Sequence, residues 1–418
     1  MPSTVAPETA EYLTRLDEFI DAQIVPLQAA DDNERFFDHR REWARTDFEG
    51  GGLPRREWEE LLAEMKSRAD RAGFLRHDLP VSVGGDASSN LEMAIIREHL
   101  AHRGLGLHND LQDESSVVGN FPSVHLVLRF GTPEQIAEFG APGVLGERTL
   151  AFGLTEPEHG SDATWMETTG TRSGDDWVIT GEKRWNTGMH VATHDLVFAR
   201  TSGSGGDPRG ITAFIVPVRT PGVEIGLFRW TLNMPTDHAD VKFDSVRVPD
   251  SAILGEEGRG LEIAQAFVHE NRLRQAASSL GAAQYCIDQS VDYARTRETF
   301  GAPLATRQAV QWPLVELHTE ATMLRSLIRE TAADLDSVDH MELSDHVSMC
   351  NYRANRLVCD AADRAMQVHG GMGYSRHLPF EHIYRHHRRY RITEGAEEIQ
   401  MRRVAGHLFG FTGGRKKG

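Results

Sequence analysis

The spacing of apolar residues changes twice along the chain, and this limits the possible fold more than any other feature. Up to about residue 148, apolar residues recur with the 3.6-residue period of a helix. From there to about residue 255 they lie in short β-branched and aromatic runs, after which the helical period returns. The sequence therefore predicts an α+β multidomain chain, with an N-terminal helical domain (1–148), a middle antiparallel β-barrel or sandwich (149–255) and a C-terminal four-helix-type bundle (256–418).

The helical parts have recognisable starts. Ser89 followed by Glu92, and Thr132 followed by Pro133 and Gln135, match the pattern of capped helix N-termini. Residues 30–55 give the weakest signal and are predicted as loop or short helix. The remaining amphipathic runs are residues 8–29, 56–72, 260–295, 310–335, 344–369, 381–390 and 397–409.

The middle region is typical of an antiparallel sheet. Its strand-like runs, which have glycine-rich turns and no helices between them, are residues 178–180, 196–199, 211–216 and 241–248. A dinucleotide-binding sheet would interleave helices with strands. Gly140, Gly143 and Gly146 also lack the spacing of its glycine motif, and that fold is therefore excluded.

Charge and composition exclude several classes of function. The formal net charge is −17, which is unfavourable for a general nucleic-acid binder. No apolar run approaches the ~18 residues of a membrane span, and the N-terminus has no secretory pattern. The three cysteines form no C-x-x-C pair, which suits a cytoplasmic protein. His382, His386 and His387 include an i, i+4 pair but no supporting ligand, and we expect no metal site.

The most suggestive stretch for chemistry runs from Ile392 to Gln400, directly after a basic run at 385–391. Gly395 has no Cβ, so a flat ligand could approach the backbone closely there. The neighbouring carboxylate of Glu394 is a candidate base. The alternative is that Glu394 is one of three solvated acids opening a C-terminal helix, where the helix dipole favours negative charge.

Two stretches of the middle region could bind a cofactor. The turn at 152–162 could present backbone N–H groups and hydroxyls to a ring edge or a phosphate, or it could be an ordinary Asp/Ser/Gly turn. At 181–188, Trp185 could stack on a planar cofactor while Thr187 donates a hydrogen bond. Alternatively, Trp185 could be a half-buried residue that packs between sheet and helix.

Two further stretches lie in the C-terminal part. Gly301 could end the first long helix and Arg297 could bind a phosphate, or this could be a helix C-terminus with favourable basic charge. Three glycines among residues 370–373 mark a turn that a ligand could approach closely, or a plain helix cap.

Together these stretches resemble the acyl-CoA dehydrogenase family over nearly the whole chain. The resemblance is carried by TEP-x-x-GSD from Thr155, R-x-TFG from Arg297, Q-x-x-GG from Gln367, and EG before IQ from Glu394. It implies FAD bound between the β-domain and the bundle. The resemblance implies that one set of residues contacts the flavin and its ribityl chain. This set is Phe152, Thr155, Ser161, Trp185 and Thr187. It also implies that a second set of residues contacts the FAD of a neighbouring subunit. This set is Arg297, Thr299, Phe300, Gln308, Gln367, Gly370 and Gly371.

The resemblance also implies a reaction. Glu394 would remove the α-proton of an acyl-CoA thioester while a hydride leaves the β-carbon for flavin N5, which gives the trans-2-enoyl-CoA. Ser161, Arg272 and Gly395 would contact the substrate. An electron-transfer flavoprotein would accept the electrons, and the chain would form a homodimer or homotetramer.

Three positions depart from the family pattern. Some relatives place the base on the first long helix immediately before an arginine, where this chain has Asn271. Glu270 is one residue further back, about 100° around the helix, and is expected to point elsewhere. The hydroxyl and amide often found after the base are Ala396 and Glu398 here, and the expected Trp-Ile-Thr has Asn186 in its middle.

Within the family, the N-terminal insertion, the basic run and residues 234–238 look most like the ACAD-ten/eleven-like subgroup, which would allow branched or hydroxylated acyl chains. One alternative is a flavin oxidase or monooxygenase on the same fold, of the nitroalkane oxidase type. Those relatives tend to lack the glutamate, so Glu394 argues against this. The other alternative is a non-catalytic flavoprotein.

Overall fold

The computed structural model describes residues 5–38, 43–110 and 115–411. The first part of the chain is helical because its apolar residues cluster on one side of each helix. Its elements are α1 (Pro7–Phe19), α2 (Val25–Ala29), β1 (Thr46–Asp47), β2 (Leu53–Pro54), α3 (Arg56–Arg71), α4 (Asn90–His102), α5 (Pro122–Phe130), α6 (Pro133–Phe139) and α7 (Ala141–Val144). A π-helical turn, Ile20–Ile24, joins α1 to α2.

The predicted helix starts are confirmed. The Ser89 hydroxyl accepts a hydrogen bond from the Glu92 N–H at 3.1 Å. Thr132 and Gln135 form a reciprocal capping box, with Pro133 at the first helical position. Local sequence therefore fixes where α4 and α6 begin.

The middle region forms one mixed sheet, with the strand order β10-β7-β6-β4-β5-β9-β8 and β3 beside β6. Its strands are β3 (Leu150–Gly153), β4 (Thr169–Ser173), β5 (Asp176–Asn186), β6 (His194–Arg200), β7 (Ile211–Pro217), β8 (Val223–Phe228), β9 (Ala239–Pro249) and β10 (Ile253–Leu254).

The prediction of an antiparallel sheet is correct for most strand pairs and wrong for two. β3 pairs with β6 in parallel over four residues, and β4 meets β6 in parallel at Thr169 and Arg200. Parallel strands need a long crossover connection. The chain between β3 and β6 supplies one, because it contains the β4–β5 hairpin.

The C-terminal part is a helical bundle with a small hairpin. Its elements are α8 (Gly260–Thr296), β11 (Glu298–Thr299), β12 (Ala302–Pro303), α9 (Gln308–Leu335), α10 (Ser344–His369), α11 (Gly371–Tyr374), α12 (Phe380–Arg388) and α13 (Glu397–Leu408). The three long helices start or end within two residues of the predicted positions, since their apolar periodicity is strong.

The N-terminal and C-terminal helices share one core. Ala94 and Ala101 of α4 pack in the same apolar cluster as Ala276 and Leu280 of α8. The two helices approach so closely that a Cβ on Gly281 would lie 2.1 Å from the Glu98 carbonyl oxygen. The division at residues 148 and 255 remains a prediction.

In the part of the chain that the structure describes, no helix is both long and apolar enough to cross a membrane. Within those same residues, no group of three or more His, Cys, Asp or Glu side chains is placed to hold a metal ion. The cytoplasmic location inferred from cysteine usage stays a prediction.

Candidate active site

Glu394 lies in a tight turn before α13. Its φ is +54°, and that of Gly395 is +87°, so two successive residues are left-handed. A non-glycine residue rarely adopts this conformation, and it persists only where surrounding contacts hold it. The alternative that Glu394 opens the helix is wrong, because Glu397 and Glu398 occupy the first turn of α13.

Arg272 of α8 holds this turn. Its Nε and Nη2 donate to the Glu394 carbonyl oxygen at 2.9 and 2.6 Å. A Cβ at position 395 would lie 2.6 Å from Nη2, so only glycine fits there. Burial lowers the pKa of Arg272 to about 10, an effect that the Glu394 charge partly opposes. Arg272 is therefore still a cation at neutral pH.

A buried amide network supports the same turn from behind. Gln400 donates to the Gly395 carbonyl at 2.8 Å and to Asn351 Oδ1 at 2.9 Å. Asn351 donates to the Arg272 carbonyl at 2.8 Å, and Asn355 donates to Asn351 at 2.9 Å. Sequence reasoning missed both asparagines. The sequence pattern that could have identified them is a pair of amide side chains at i and i+4 among the alanines of α10.

Some arginines of the basic run before the turn form ion pairs with glutamates of the same chain. Arg385 pairs with Glu381 at 2.6 Å, and Arg391 grips Glu397 with two hydrogen bonds of 2.9 Å. The hydrogen bonds from Arg391 and then Arg356 lower the pKa of Glu397 to about 2. Arg391 and Arg356 thus anchor the start of α13, whereas the Arg385 pair lies within α12.

The TEP turn is locked to β5 by a buried ion pair. Lys183 Nζ lies 2.8 Å from Glu156, and both side chains are almost completely buried. Glu156 also accepts the N–H groups of Glu167 and Thr168, and the Arg184 N–H donates to the Thr155 carbonyl at 2.9 Å. Burial lowers the pKa of Lys183, and Glu156 opposes that effect. Sequence reasoning missed this pair, although both residues lie in the quoted motifs.

Trp185 presents its ring at the end of β5. It has a φ of +68° and is 45 % exposed, and its ring meets His238 edge-on at 6.2 Å. Its stacking on a cofactor therefore stays a prediction. The Thr187 hydroxyl is 3.0 Å from His238 Nδ1, and Ser161 is exposed. An exposed indole beside hydroxyl groups suits a large, flat, polar-edged ligand.

Phe152 joins this face of the sheet to α8. Its ring stacks on Phe267 with centroids 4.1 Å apart. The Phe267 carbonyl accepts a hydrogen bond from Asn271, the residue before Arg272. A continuous chain of contacts thus runs from β3 to the Glu394 turn.

The polar residue inside the Trp185–Thr187 motif has a buried partner. Asn186 Nδ2 donates to Asp195 at 2.5 Å, and both residues are fully buried. A Cβ on Gly153 would lie 3.0 Å from each side chain. Burial raises the pKa of Asp195 to about 7. The departure from the family pattern is therefore one half of a polar pair.

The other predicted cofactor residues lie at the far end of α8. Phe300 is 99 % exposed at the tip of the β11–β12 hairpin, with a φ of +52°. Tyr293 stacks on His369 at 4.3 Å, which places the ends of α8 and α10 side by side. The residues exposed or half-exposed at this end are Arg297, Thr299, Gln308, Gln367, Gly370 and Gly371.

This second group cannot meet the first within one chain. Arg297 follows Arg272 by 25 residues on α8, which corresponds to about 37 Å along the helix axis. Among the residues that the structure describes, the Arg297 side chain has no hydrogen bond or ion pair. Gly370 has open space where a Cβ would stand.

The structure shows the surroundings of Asn271 and Glu270, the two residues of α8 at which the sequence departs from the family pattern. Asn271 accepts a hydrogen bond from Arg274 at 3.1 Å. Glu270 points away from the Glu394 turn, as expected, and faces a pocket that it lines with His125 and Arg129 of α5.

The order of helices, mixed sheet and bundle, with a glutamate turn held on the first long helix, defines an acyl-CoA dehydrogenase. Residues 151–246 match the family model "Acyl-CoA dehydrogenase, middle domain", and residues 258–409 match "Acyl-CoA dehydrogenase, C-terminal domain". The chain belongs to this family of oxidoreductases, and the predicted family and fold are confirmed.

Individual relatives support this assignment. The chain is 31 % identical over 408 residues to the mitochondrial short-chain specific acyl-CoA dehydrogenase of Bos taurus, covering 97 % of this chain and 91 % of that protein. It is 30 % identical to the caffeyl-CoA reductase-Etf complex subunit CarC of Acetobacterium woodii, over 84 % and 90 % of the two chains. The structure of a putative acyl-CoA dehydrogenase from Mycobacterium abscessus superposes with a TM-score of 0.84 at 26 % identity, over 98 % and 100 %.

Proposed function

We propose that this protein catalyses the FAD-dependent α,β-dehydrogenation of an acyl-CoA thioester to the trans-2-enoyl-CoA, with Glu394 as the base. The observation that carries the proposal is the left-handed turn at Glu394 and Gly395. Arg272 and Gln400 hold its carbonyl groups, and the Phe152–Phe267 stack connects it to the sheet. Such a conformation is costly, and it is typical of a residue with a functional task.

The residues on the sheet face suit FAD. Trp185 offers an exposed ring, and Thr155 and Thr187 offer hydroxyls on the backbone segments next to it. Ser161 offers an exposed hydroxyl on the turn that follows Thr155. Phe152 completes this half of the site. When bound, FAD supplies a two-electron acceptor for the hydride that leaves the β-carbon.

Glu394 takes the α-proton of the substrate. An α-proton is a poor acid, so the negative charge that develops on the thioester oxygen must be stabilised by preorganised donors. The N–H of Glu394 would be one such donor. Arg272 holds the carbonyl of the same residue, and it thereby helps to keep the left-handed backbone from which the N–H and the side chain extend. Gly395 and Ser161 would contact the thioester and its CoA carrier.

The site is shared between two chains. Arg297, Phe300 and Gln308 project from one end of the bundle, as do Gln367 and Gly370, and they would reach the FAD of a neighbouring subunit. The support is an arginine side chain that pairs with none of the described residues, together with a phenylalanine that is 99 % exposed. The assembly would be a homodimer or a homotetramer, with FAD binding coupled to association.

An electron-transfer flavoprotein is the proposed electron acceptor. The support is the relative from Acetobacterium woodii, which is named as a subunit of a reductase-Etf complex. The retained Glu394 disfavours an oxidase or monooxygenase of the nitroalkane oxidase type, and also a non-catalytic flavoprotein.

An anaerobic titration of the FAD-loaded protein tests the proposal. Unsubstituted acyl-CoAs from butanoyl to decanoyl should bleach the absorbance of oxidised flavin for at least one chain length. Enoyl-CoA should appear in equal amount. A flavin that stays oxidised with every acyl-CoA would contradict the proposal, and rapid reoxidation of reduced flavin by O₂ would favour the oxidase alternative.

A further inference from the structure

His238 lies beside two residues that the flavin would contact. Asn186 of β5 pairs with Ala239 of β9, so the next residues outward, Thr187 and His238, face each other across the end of this strand pair. The Thr187 hydroxyl oxygen lies 3.0 Å from His238 Nδ1. The His238 ring also meets the Trp185 ring in an edge-to-face contact. One histidine therefore touches both residues.

The segment that carries His238 is held from two sides. The Gly188 N–H, just after β5, donates to the Asp237 carbonyl at 3.1 Å. In the turn between β1 and β2, the Gly52 carbonyl accepts the Thr236 N–H at 2.8 Å. Backbone hydrogen bonds therefore hold the residues next to His238 against β5 and against the N-terminal hairpin.

Asp237 determines which ring nitrogen carries a proton. Its Oδ1 atom lies 3.1 Å from His238 Nδ1, the same nitrogen that contacts Thr187. A carboxylate accepts hydrogen bonds and cannot donate them, and its negative charge favours a proton on Nδ1 over a lone pair. The other carboxylate of this segment, that of Asp240, pairs with Arg229 at 2.5 Å. Asp237 therefore selects a ring with a proton on Nδ1, whether the ring is neutral or cationic.

This choice leaves the Thr187 hydroxyl proton without an acceptor on the histidine. A protonated nitrogen cannot accept a hydrogen bond, so the hydroxyl oxygen accepts from Nδ1 and its own proton points elsewhere. Among the described residues, the remaining acceptor is the Trp185 carbonyl at 3.5 Å, a distance at which a hydrogen bond is weak. Thr187 is exposed. Its O–H group is therefore available to donate to a ligand on this face of the sheet.

We propose that His238 and Asp237 are positioning residues, which hold the Thr187 hydroxyl so that it donates its proton to the flavin. The inference rests on the proposed function, in which FAD lies on this face. The nitrogen and oxygen atoms at the edge of a flavin ring accept hydrogen bonds, and a donor whose direction is already set loses less freedom on binding them. An Asp–His pair is common in itself, since Asp345 also lies 3.1 Å from Nδ1 of His346. The hydroxyl contact distinguishes His238.

A double-mutant cycle on FAD affinity tests the proposal. Asp237→Asn removes the charge with little change of shape, and its amide can donate to a lone pair on Nδ1, which favours the other tautomer. Nδ1 would then accept the Thr187 hydroxyl proton. Equilibrium dialysis should show FAD binding that is about 2–10-fold weaker, the scale of one hydrogen bond. Thr187→Val should cause a similar loss, and adding Asp237→Asn to it should cause no further loss.

Two further variants complete the test. Thr187→Ser keeps the hydroxyl, so Asp237→Asn should weaken FAD binding in this background as it does in the wild type. Asp345→Asn is the matched control and should leave FAD affinity unchanged, because the His346 ring bonds no hydroxyl of a described residue. The absorption spectrum of the bound flavin is a second readout, since it responds to hydrogen bonds at the ring. It should change in Asp237→Asn and in Thr187→Val, and not in the control.

The outcomes separate this inference from the proposed function. Equal losses from Asp237→Asn in the wild-type and Thr187→Val backgrounds would show that the carboxylate acts without the hydroxyl, and would overturn the inference. An Asp237→Asn protein with wild-type FAD affinity and flavin spectrum would also overturn it. A protein that binds no FAD would overturn both proposals. A flavin that no acyl-CoA bleaches, in a protein that shows the expected cycle, would overturn the dehydrogenation alone.

Discussion

The two ends of α8 differ in burial and in the number of hydrogen bonds around them. Near Arg272, the Glu394 turn is half-buried and surrounded by hydrogen bonds from α8, α10 and α13. Near Arg297, some 37 Å away along the helix, the side chains are exposed, and the hairpin tip places Phe300 almost entirely in solvent.

The difference shows which parts of the site one chain can build alone. The Glu394 end is internally complete, because its strained turn is held by contacts within the chain. The Arg297 end has an exposed aromatic ring, a cation and glycines, but few contacts of its own. We infer that it is completed from outside the chain, by FAD on a neighbouring subunit.

The largest expected effect lies at the Glu394 end. Glu394→Gln should retain FAD but lower kcat by about 10²–10⁴-fold, because the base is removed while the turn remains. Turnover and flavin content are measured on the same preparation. Glu398→Gln, an exposed residue of the same stretch, is the control and should keep full activity. Near-normal turnover in the Glu394 variant would remove it from the mechanism.

The next effect concerns the sheet beside this end. Lys183→Met should lower the free energy of unfolding by about 3–5 kcal/mol, since it leaves Glu156 charged and buried without its partner. Urea unfolding measures the loss. Lys183→Met combined with Glu156→Gln should recover part of it. A single variant as stable as the wild type would show that this pair does not hold the TEP turn.

A pH-dependent effect comes from Asp195. Its folded pKa of about 7 lies above the unfolded value, so the folded chain retains a proton that the unfolded chain has lost. The wild type should therefore lose stability from about pH 4 to pH 7. Asp195→Asn should remove this loss and be more stable at pH 8, by on the order of 4 kcal/mol. Urea unfolding at several pH values measures the difference, and a difference that does not change with pH would contradict the assignment.

The smallest effect is expected at the far end. Arg297→Ala should weaken FAD retention by about ten-fold and leave the chemistry of the loaded enzyme intact, because the arginine contacts a phosphate through one charge-assisted interaction. Equilibrium dialysis measures the affinity. Arg295→Ala is a matched control, since Arg295 is exposed and pairs only with Asp292 among the described residues. Equal FAD affinity in both variants would contradict the proposal that Arg297 contacts FAD.

Local patterns predicted much of this molecule. Helix periodicity and caps predicted the long helices, and motif spacing singled out Glu394, Trp185 and Arg297, whose roles stay predictions. The features that were missed depend on residues far apart in the sequence. Asn351 meets Gln400 only after α10 and α13 pack.

The two parallel pairings were missed for the same reason. Alternation along a strand shows which side chains share a face, but it does not show the direction of a neighbouring strand. Asn186 shows, within the candidate site, what sequence patterns cannot predict. The sequence marked it as unusual, and only the folded sheet revealed its partner, Asp195.

The most direct test mixes a variant that lacks the base with a variant that retains FAD poorly. Glu394→Gln subunits and Arg297→Ala subunits are dissociated, combined in equal amounts and reassembled at limiting FAD. If each site takes Glu394 from one chain and Arg297 from the other, every hybrid dimer regains one intact site. Random pairing should then restore about a quarter of wild-type activity. If both residues serve the same chain, every hybrid site carries one defect, and activity that stays at the level of the unmixed variants would contradict the account.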